Sequence, residues 1–545
     1  MVNIMSIMLL NNKGFEWCYK DYVYVKGIFF YKNILYKEHN AIGLLRTISS
    51  YDAFRNIIKE FNGIFSIIIK KDDEYWIAVD RARSIPIFLS TDGKYISDSA
   101  EEIRIKFGIS IDKVEIISLS ELFLSHNTST GNTVYKDIIQ LELGQTALIK
   151  NGKVERKFYY THTHSYQNNN DYKILLEQFS YVADSIIDRL ITSLEGRKVV
   201  LALSGGYDSR FIAAMLKRKN YNNVLCYTYG KEDDYEVNYS KKVAQKLGFE
   251  WHYVKYTKQD WEDFFNSKEA YLYFDYVGNH SSLPHIQEFI AIKNLKDRKV
   301  IDTNSIIVTG FCGDFQAGSF IKPFENIEYT LDNLVNTIYN FNYVNTVCTN
   351  VIEKKIKNRI KEQLLSLNSN IYDKDSFISL YEAWLTANRL SMWVVNSNRV
   401  YEFFGLEWRI PLMDNEFLEF WYNIPNFYRK GCKLYKEWLF DNLFIPMGID
   451  YRKPEILIQN TRICLSKLKK YYKKILIFLS MNIGKDLYKR NNLNNYNEAA
   501  LIIFKMMNKS KRAFKYNYLS VHQIESLWWC EYKYGSENIK KIIRK

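Results

Sequence analysis

Apolar and polar residues alternate over short runs in the first third of the chain. Tyr22 to Phe30, Ile64 to Ile69 and Tyr75 to Val79 each predict a strand. Polar turns such as Lys71-Asp72-Asp73-Glu74 and Thr91-Asp92-Gly93-Lys94 separate such runs. Helical spacing is predicted near 41–48, 52–61 and 118–124, so residues 1–165 read as a layered α+β domain. His162 to Asp171 is polar and unpatterned, which predicts a boundary. From Asp171 an amphipathic helix runs towards Leu194, and the pattern then changes. Apolar runs at 198–203, 223–228 and 250–254 alternate with helical stretches. One helix carries Tyr239, Val243, Ala244 and Leu247 at helical spacing and stops at Gly248. Strands alternating with helices predict an α/β fold with a parallel sheet, whose ligands bind at the carboxyl ends of the strands. Beyond Phe324 the pattern is mainly helical.

At one such strand end stands Leu203-Ser204-Gly205-Gly206-Tyr207-Asp208-Ser209, followed by the helix-forming run Phe211 to Leu216. Strand, glycine turn and helix N-terminus together aim backbone N–H groups at one point, where the helix dipole favours an anion. Gly205 and Gly206 let a phosphate approach without Cβ clashes. Ser204 and Ser209 offer hydroxyl donors. Asp208 beside a polyanion makes sense if Mg²⁺ lies between them, since Mg²⁺ works through one or two carboxylates plus phosphate oxygens. No Gly-Lys-Ser/Thr follows, so this is not a Walker loop. A hydrolase elbow lacks its first glycine here. A glycine turn that merely closes a buried strand is the bland alternative.

Length adds that 545 residues exceed one core and imply two or three domains. No apolar run reaches the length of a membrane span, and the start, Met1 to Leu10, lacks a basic region and cleavage site of a signal peptide. The 7 cysteines are scattered, without a C-x-x-C pair, which predicts free thiols and a cytoplasmic location. The net charge of +14 gathers in Lys467 to Lys474 and Lys540 to Lys545, within a basic helical extension expected over 461–545. Solvated helix faces explain such runs more often than nucleic-acid sites do.

The turn resembles the pyrophosphate loop of the ATP pyrophosphatases. Three further segments narrow that likeness: Ile307-Val308-Thr309-Gly310-Phe311-Cys312-Gly313-Asp314; Gly405-Leu406-Glu407-Trp408-Arg409-Ile410-Pro411-Leu412-Met413-Asp414; and Lys433-Leu434-Tyr435-Lys436-Glu437, with Tyr451-Arg452-Lys453 after it. In this order they resemble the synthetase domain of the asparagine synthetase family, which includes β-lactam and macrolactam synthetases. Phe61 to Ile67, Asp80 to Phe88 and Ile96 to Ser99 are similar to the strands of that family's glutaminase domain.

The resemblance implies an Ntn-hydrolase-like first domain (1–165) and an adenine nucleotide α-hydrolase-like synthetase domain (171–460). It implies a ligase using ATP and Mg²⁺, which joins a small-molecule or peptide carboxylate to an amine through an acyl-adenylate. Leu203, Ser204, Gly205, Gly206, Asp208 and Ser209 would hold pyrophosphate. Tyr229, Thr309 and Gly310 would lie near adenosine, and Asp208 and Asp314 would share Mg²⁺. Glu407 would be a catalytic-pocket glutamate, with Arg409 and Asp414 as its buttresses. Lys436 and Lys453 are the candidates for the cation at the adenylating transition state. His280 and His285 read as structural. The resemblance also allows a homodimer.

Two departures matter. The family's glutaminase needs a cysteine whose own α-amine serves as base. This sequence begins Met1-Val2-Asn3 and its nearest thiol is Cys18, so the expectation is a degenerate glutaminase domain, with the amine drawn from ammonia or from the substrate. Phe311 stands where asparagine-forming members carry a glutamate, which points to a larger carboxylate than aspartate. A tRNA-modifying ATP pyrophosphatase and a non-catalytic nucleotide-binding homologue remain the rival readings.

Overall fold

The structure is a computed structural model. It describes residues 5–168, 171–232, 234–321, 324, 327–343, 348–367 and 370–452, and then 498–499, 502–503, 506–507 and 521–542. Lys453 and the basic run Lys467 to Lys474 lie outside the described residues.

The N-terminal lobe is layered, as its alternation predicts. Six strands, Lys153–Phe158, Gln145–Lys150, Glu74–Val79, Asn62–Lys71, Val23–Tyr31 and Trp17–Lys20, lie side by side in that order, with Ile34–Lys37 also paired to Val23–Tyr31. Alternate residues serve opposite faces. Ile67, Ile69, Trp76 and Ala78 pack with Ile42, Phe54 and Ile58 from helices Glu38–Leu45 and Tyr51–Ile58. Ile68, Ile77 and Val79 pack instead with Ile87, Leu89 and Ile96. Those last three belong to or adjoin a second sheet, whose strands run Ser6–Met8, Tyr95–Ser97, Phe88–Ser90, Ile138–Gln140.

The second lobe opens with helix α1 (Tyr172–Leu194) and is built on a five-stranded sheet. Its strands are β1 (Val199–Ala202), β2 (Val224–Gly230), β3 (Glu250–Lys255), β4 (Ile306–Val308) and β5 (Glu407–Arg409). They lie in the order β3-β2-β1-β4-β5, and every pair is parallel. Val199 and Leu201 face one core with Cys226 and Val308, while Val200 faces the other with Leu225 and Ile307. Both faces are therefore buried, which is why β1 and β4 read as unbroken apolar runs. Helices α2 (Tyr207–Arg218) and α3 (Tyr235–Leu247) fill the first core. Gly248 takes a left-handed φ of 71° as the C-cap of α3, a conformation that glycine adopts without a Cβ penalty.

The polar stretch before α1 is pinned rather than loose. His162 is buried, with Nδ1 2.6 Å from the Tyr422 hydroxyl and Nε2 2.8 Å from the Arg81 carbonyl. Burial, the neighbouring Arg81 charge and His164 hold its imidazole down at about 3 against the carbonyl hydrogen bond, so it is neutral at physiological pH. The lobes also meet at Arg81 with Glu419 (2.6 Å) and at Asn62, which donates to Asp414 (2.9 Å). The helical pattern beyond Phe324 is present, but Thr386–Val395 winds as a π-helix, and β5 adds a short strand there. At the C-terminal end, helices Val521–Tyr534 and Ser536–Ile542 carry Leu527, Trp529 and Ile539 into the core shared by the lobes.

Candidate active site

β1 ends at the turn Leu203 to Gly206, and α2 begins at Tyr207. Two serines set the turn. The Ser204 amide donates to Ser209 Oγ at 3.2 Å, and the Gly206 amide donates to Ser204 Oγ at 3.1 Å. Buried Arg210 braces it from behind. Arg210 donates to the Gly205 carbonyl (3.1 Å) and to the carbonyls of Ile449 (3.0 Å) and Tyr451 (2.6 Å). The chain up to Tyr451 is thereby held against the turn.

β4 delivers the second loop to the same edge. A Cβ on Gly310 would stand 2.6 Å from the Ser209 nitrogen, and one on Gly313 would stand 2.8 Å from the Asp208 carboxyl. The small residues after β4 thus let two loops touch backbone to backbone. Asp314, in helix α4 (Gly313–Gln316), donates its amide to Asp208 Oδ2 at 3.0 Å. Tyr435, from helix α5 (Lys433–Leu439), donates its hydroxyl to Asp208 Oδ1 at 3.0 Å. Burial, and beside it the Asp208 carboxylate, push the Tyr435 phenol well above its ordinary range, so it stays a donor.

These loops line a cavity of about 620 Å³, a size typical of small-molecule sites. Leu203, Ser204, Gly206, Asp208, Ser209, Tyr229, Thr309, Gly310, Asp314 and Lys436 all reach it. Gly205 sits against Glu236, where a Cβ would come within 3.1 Å of that side chain. Lys436 makes no ion pair among the described residues. Asp208 and Asp314 fit Mg²⁺, which takes one or two carboxylates and completes its shell with water and phosphate oxygens. No group of three or more metal-ligating side chains occurs among the described residues, so a metal held by protein ligands alone does not fit.

Glu407 does not line this cavity. It lies level with Ile306 in the β4–β5 register, three residues before Thr309, hence about 10 Å from the carboxyl edge at the rise of a strand. Arg197 grips it at 2.5 and 3.1 Å, and Arg409 at 2.9 Å. Burial pushes its carboxyl up, but the two arginines prevail and hold it below the usual carboxylate range. It is a structural ion pair at the opposite edge of the sheet. Arg409 also bonds Ser193, and Asp414 is clamped by Arg189 at 2.7 and 2.8 Å.

Sequence patterns gave no sign of several residues in this cavity. Glu236 and Glu288 line it as well, as do Cys432 and Ser319. Glu288 precedes helix α6 (Phe289–Asp297) and accepts a hydrogen bond from the Tyr401 hydroxyl. Enclosure by protein lifts its carboxyl to about 7, against the pull of that bond. A lone glutamate in His285-Ile286-Gln287-Glu288 carries no motif.

Residues 182–287 match the family model for asparagine synthase. That segment includes the Ser204–Ser209 turn and Glu236, and it ends one residue before Glu288. No curated protein matches the chain. Solved structures that match include the NH3-dependent NAD synthetase from Campylobacter jejuni subsp. jejuni NCTC 11168 in complex with the nitrate ion. It is 17% identical over 39% of this chain and 92% of that one, with a TM-score of 0.20. Among the described residues no helix is long and apolar enough to cross a membrane.

Proposed function

We propose that the chain is an ATP-dependent amide synthetase of the asparagine synthase type, which activates a carboxylate as its acyl-adenylate. The supporting observation is the meeting of Asp208 and Asp314, 106 residues apart in sequence, at the carboxyl edge of one parallel sheet. They share a cavity with the glycine turn. In the first step a carboxylate oxygen of the substrate attacks the α-phosphorus, the bond to the bridging oxygen breaks, and pyrophosphate leaves. In the second an amine nitrogen attacks the acyl carbon, the bond to AMP breaks, and the amine loses a proton.

The amides of the turn and helix start other than those of Ser204 and Gly206, together with the two serine hydroxyls, receive the pyrophosphate oxygens. Asp208 and Asp314 would hold Mg²⁺, which supplies Lewis-acid neutralisation of phosphate charge when bound. Tyr435 keeps the Asp208 carboxylate aimed at that position. Lys436 places a positive charge in the cavity, and Lys453 is the second candidate for that role. Phe311 and Tyr229 give the cavity apolar walls that exclude water. The amine comes from ammonia or from the substrate, since Cys18 lies inside a strand paired with Val25 and has no free α-amine. The N-terminal lobe then serves as a degenerate, Ntn-hydrolase-like support.

The test is ATP–pyrophosphate exchange over a panel of small and peptidic carboxylates. The expected result is exchange that requires a carboxylate and Mg²⁺ and is lost in Asp208→Asn. ATP binding without exchange for any carboxylate would overturn the reading.

A further inference from the structure

The cavity has two chemically distinct ends. Asp208 and Asp314 are faced by Cys312, Cys432 and Tyr435. Glu288 has a different set of neighbours. Tyr227 and Tyr229 from β2, Tyr256 after β3, Tyr273 from helix Lys268–Gly278 and Tyr401 from helix Arg399–Phe403 all sense its charge. All five phenols are held well above their ordinary range by burial, so they stay neutral. No lysine, arginine or histidine pairs with Glu288 among the described residues. A carboxyl enclosed by neutral rings without a cation resists ionisation. When protonated it presents one O–H donor and one carbonyl acceptor. The Tyr401 hydroxyl donates to Oε2, which marks that oxygen as the acceptor and leaves Oε1 to carry the proton. Tyr227 also lines the cavity, with its ring 6.4 Å from that of Tyr229.

A side-by-side donor and acceptor match the edge of adenine, where the 6-amino donor adjoins the N7 acceptor. We propose that Glu288, oriented by Tyr401, reads the adenine base of the nucleotide, with Tyr227 and Tyr229 as the aromatic wall of the base subsite. This inference rests on the ATP-binding reading above and names the residue that sets its base preference. An ammonium ligand would instead require the ionised carboxylate, which this setting disfavours.

The experiment measures affinity of the full chain for Mg-ATP and for purine riboside triphosphate, which lacks the 6-amino group. Parent protein, Glu288→Gln, Glu288→Ala and Tyr401→Phe are compared at about pH 6, where the Glu288 carboxyl, lifted to about 7, is protonated. The parent is expected to prefer ATP by about tenfold or more, because a site built for a donor rejects the analogue without it. Glu288→Gln keeps that preference, since a glutamine amide reads the same adenine edge. Glu288→Ala brings the ratio to about one, chiefly through weaker ATP binding. Tyr401→Phe, which leaves the carboxyl in place but unoriented, gives an intermediate ratio. A ratio in Glu288→Ala equal to the parent's would overturn the inference. So would loss of the preference in Glu288→Gln with the fold intact, which would assign the carboxylate to a cationic ligand. If the parent binds neither nucleotide, the underlying ATP reading falls first and takes this one with it.

Discussion

Asp208 and Glu407 are two carboxylates on one sheet, at opposite edges. Asp208 stands past the end of β1 and accepts from a backbone amide and a tyrosine hydroxyl, facing a cavity. Glu407 stands at the start of β5 and is clamped by Arg197 and Arg409. Both are half-buried acids. The difference teaches that the edge of a parallel sheet, and what already neutralises the acid, decide whether a carboxylate is available for chemistry. An arginine fork satisfies a carboxylate and leaves nothing for a ligand.

Substitutions can break this contrast. The largest effect is expected for Asp208→Asn, with pyrophosphate exchange lower by about 10³-fold, on the scale of losing a preorganised charge partner of the transition state. Gly310→Ala comes next. Its Cβ would meet the Ser209 nitrogen at 2.6 Å, and backbone cannot yield as a side chain can. ATP affinity is expected to fall by about tenfold or more, with a loss of roughly 1–3 kcal/mol in urea unfolding. Tyr435→Phe removes one hydrogen bond to Asp208, and exchange is expected to fall by roughly tenfold with little change in stability. Glu407→Gln inverts the pattern. Two arginines lose their partner, stability falls by about 1–3 kcal/mol, and ATP binding stays at the parent's level.

The smallest effect lies outside both edges and serves as a control on the lobe junction. His162 is neutral in the folded protein, at about 3, whereas in the unfolded chain it titrates near its ordinary value of about 6.5. Below pH 6.5 the unfolded chain binds the extra proton, so this group's stabilisation is present above that pH and declines as pH falls towards 3. His162→Gln lacks that proton. The stability gap between parent and variant is expected to shrink as pH drops from 7 to 5, measured by urea unfolding at each pH.

Much of this edge was legible in the sequence. Val199–Leu203 is apolar throughout because both faces of β1 are buried, and the glycine turn and helix follow directly. The small residues of Thr309–Gly313 are required by contact with Asp208 and Ser209. Tyr435, Tyr401 and Glu288 were not legible as a group. Each is a single residue on its own helix or helix start, and only the tertiary arrangement brings it to the cavity. The place of Glu407 on the sheet was not legible for a related reason. β5 has three residues, too few to show a strand pattern, so its register and edge could not be read. Lys453 lies outside the described residues, and its role stays a proposal.

The most direct measurement is equilibrium binding of ATP, with and without Mg²⁺, to the parent, Asp208→Asn, Asp314→Asn and Glu407→Gln. The expected result is Mg²⁺-dependent binding by the parent and Glu407→Gln, lost by roughly tenfold or more in either aspartate variant. Aspartate variants that bind Mg-ATP as the parent does, or loss of binding in a folded Glu407→Gln, would contradict it.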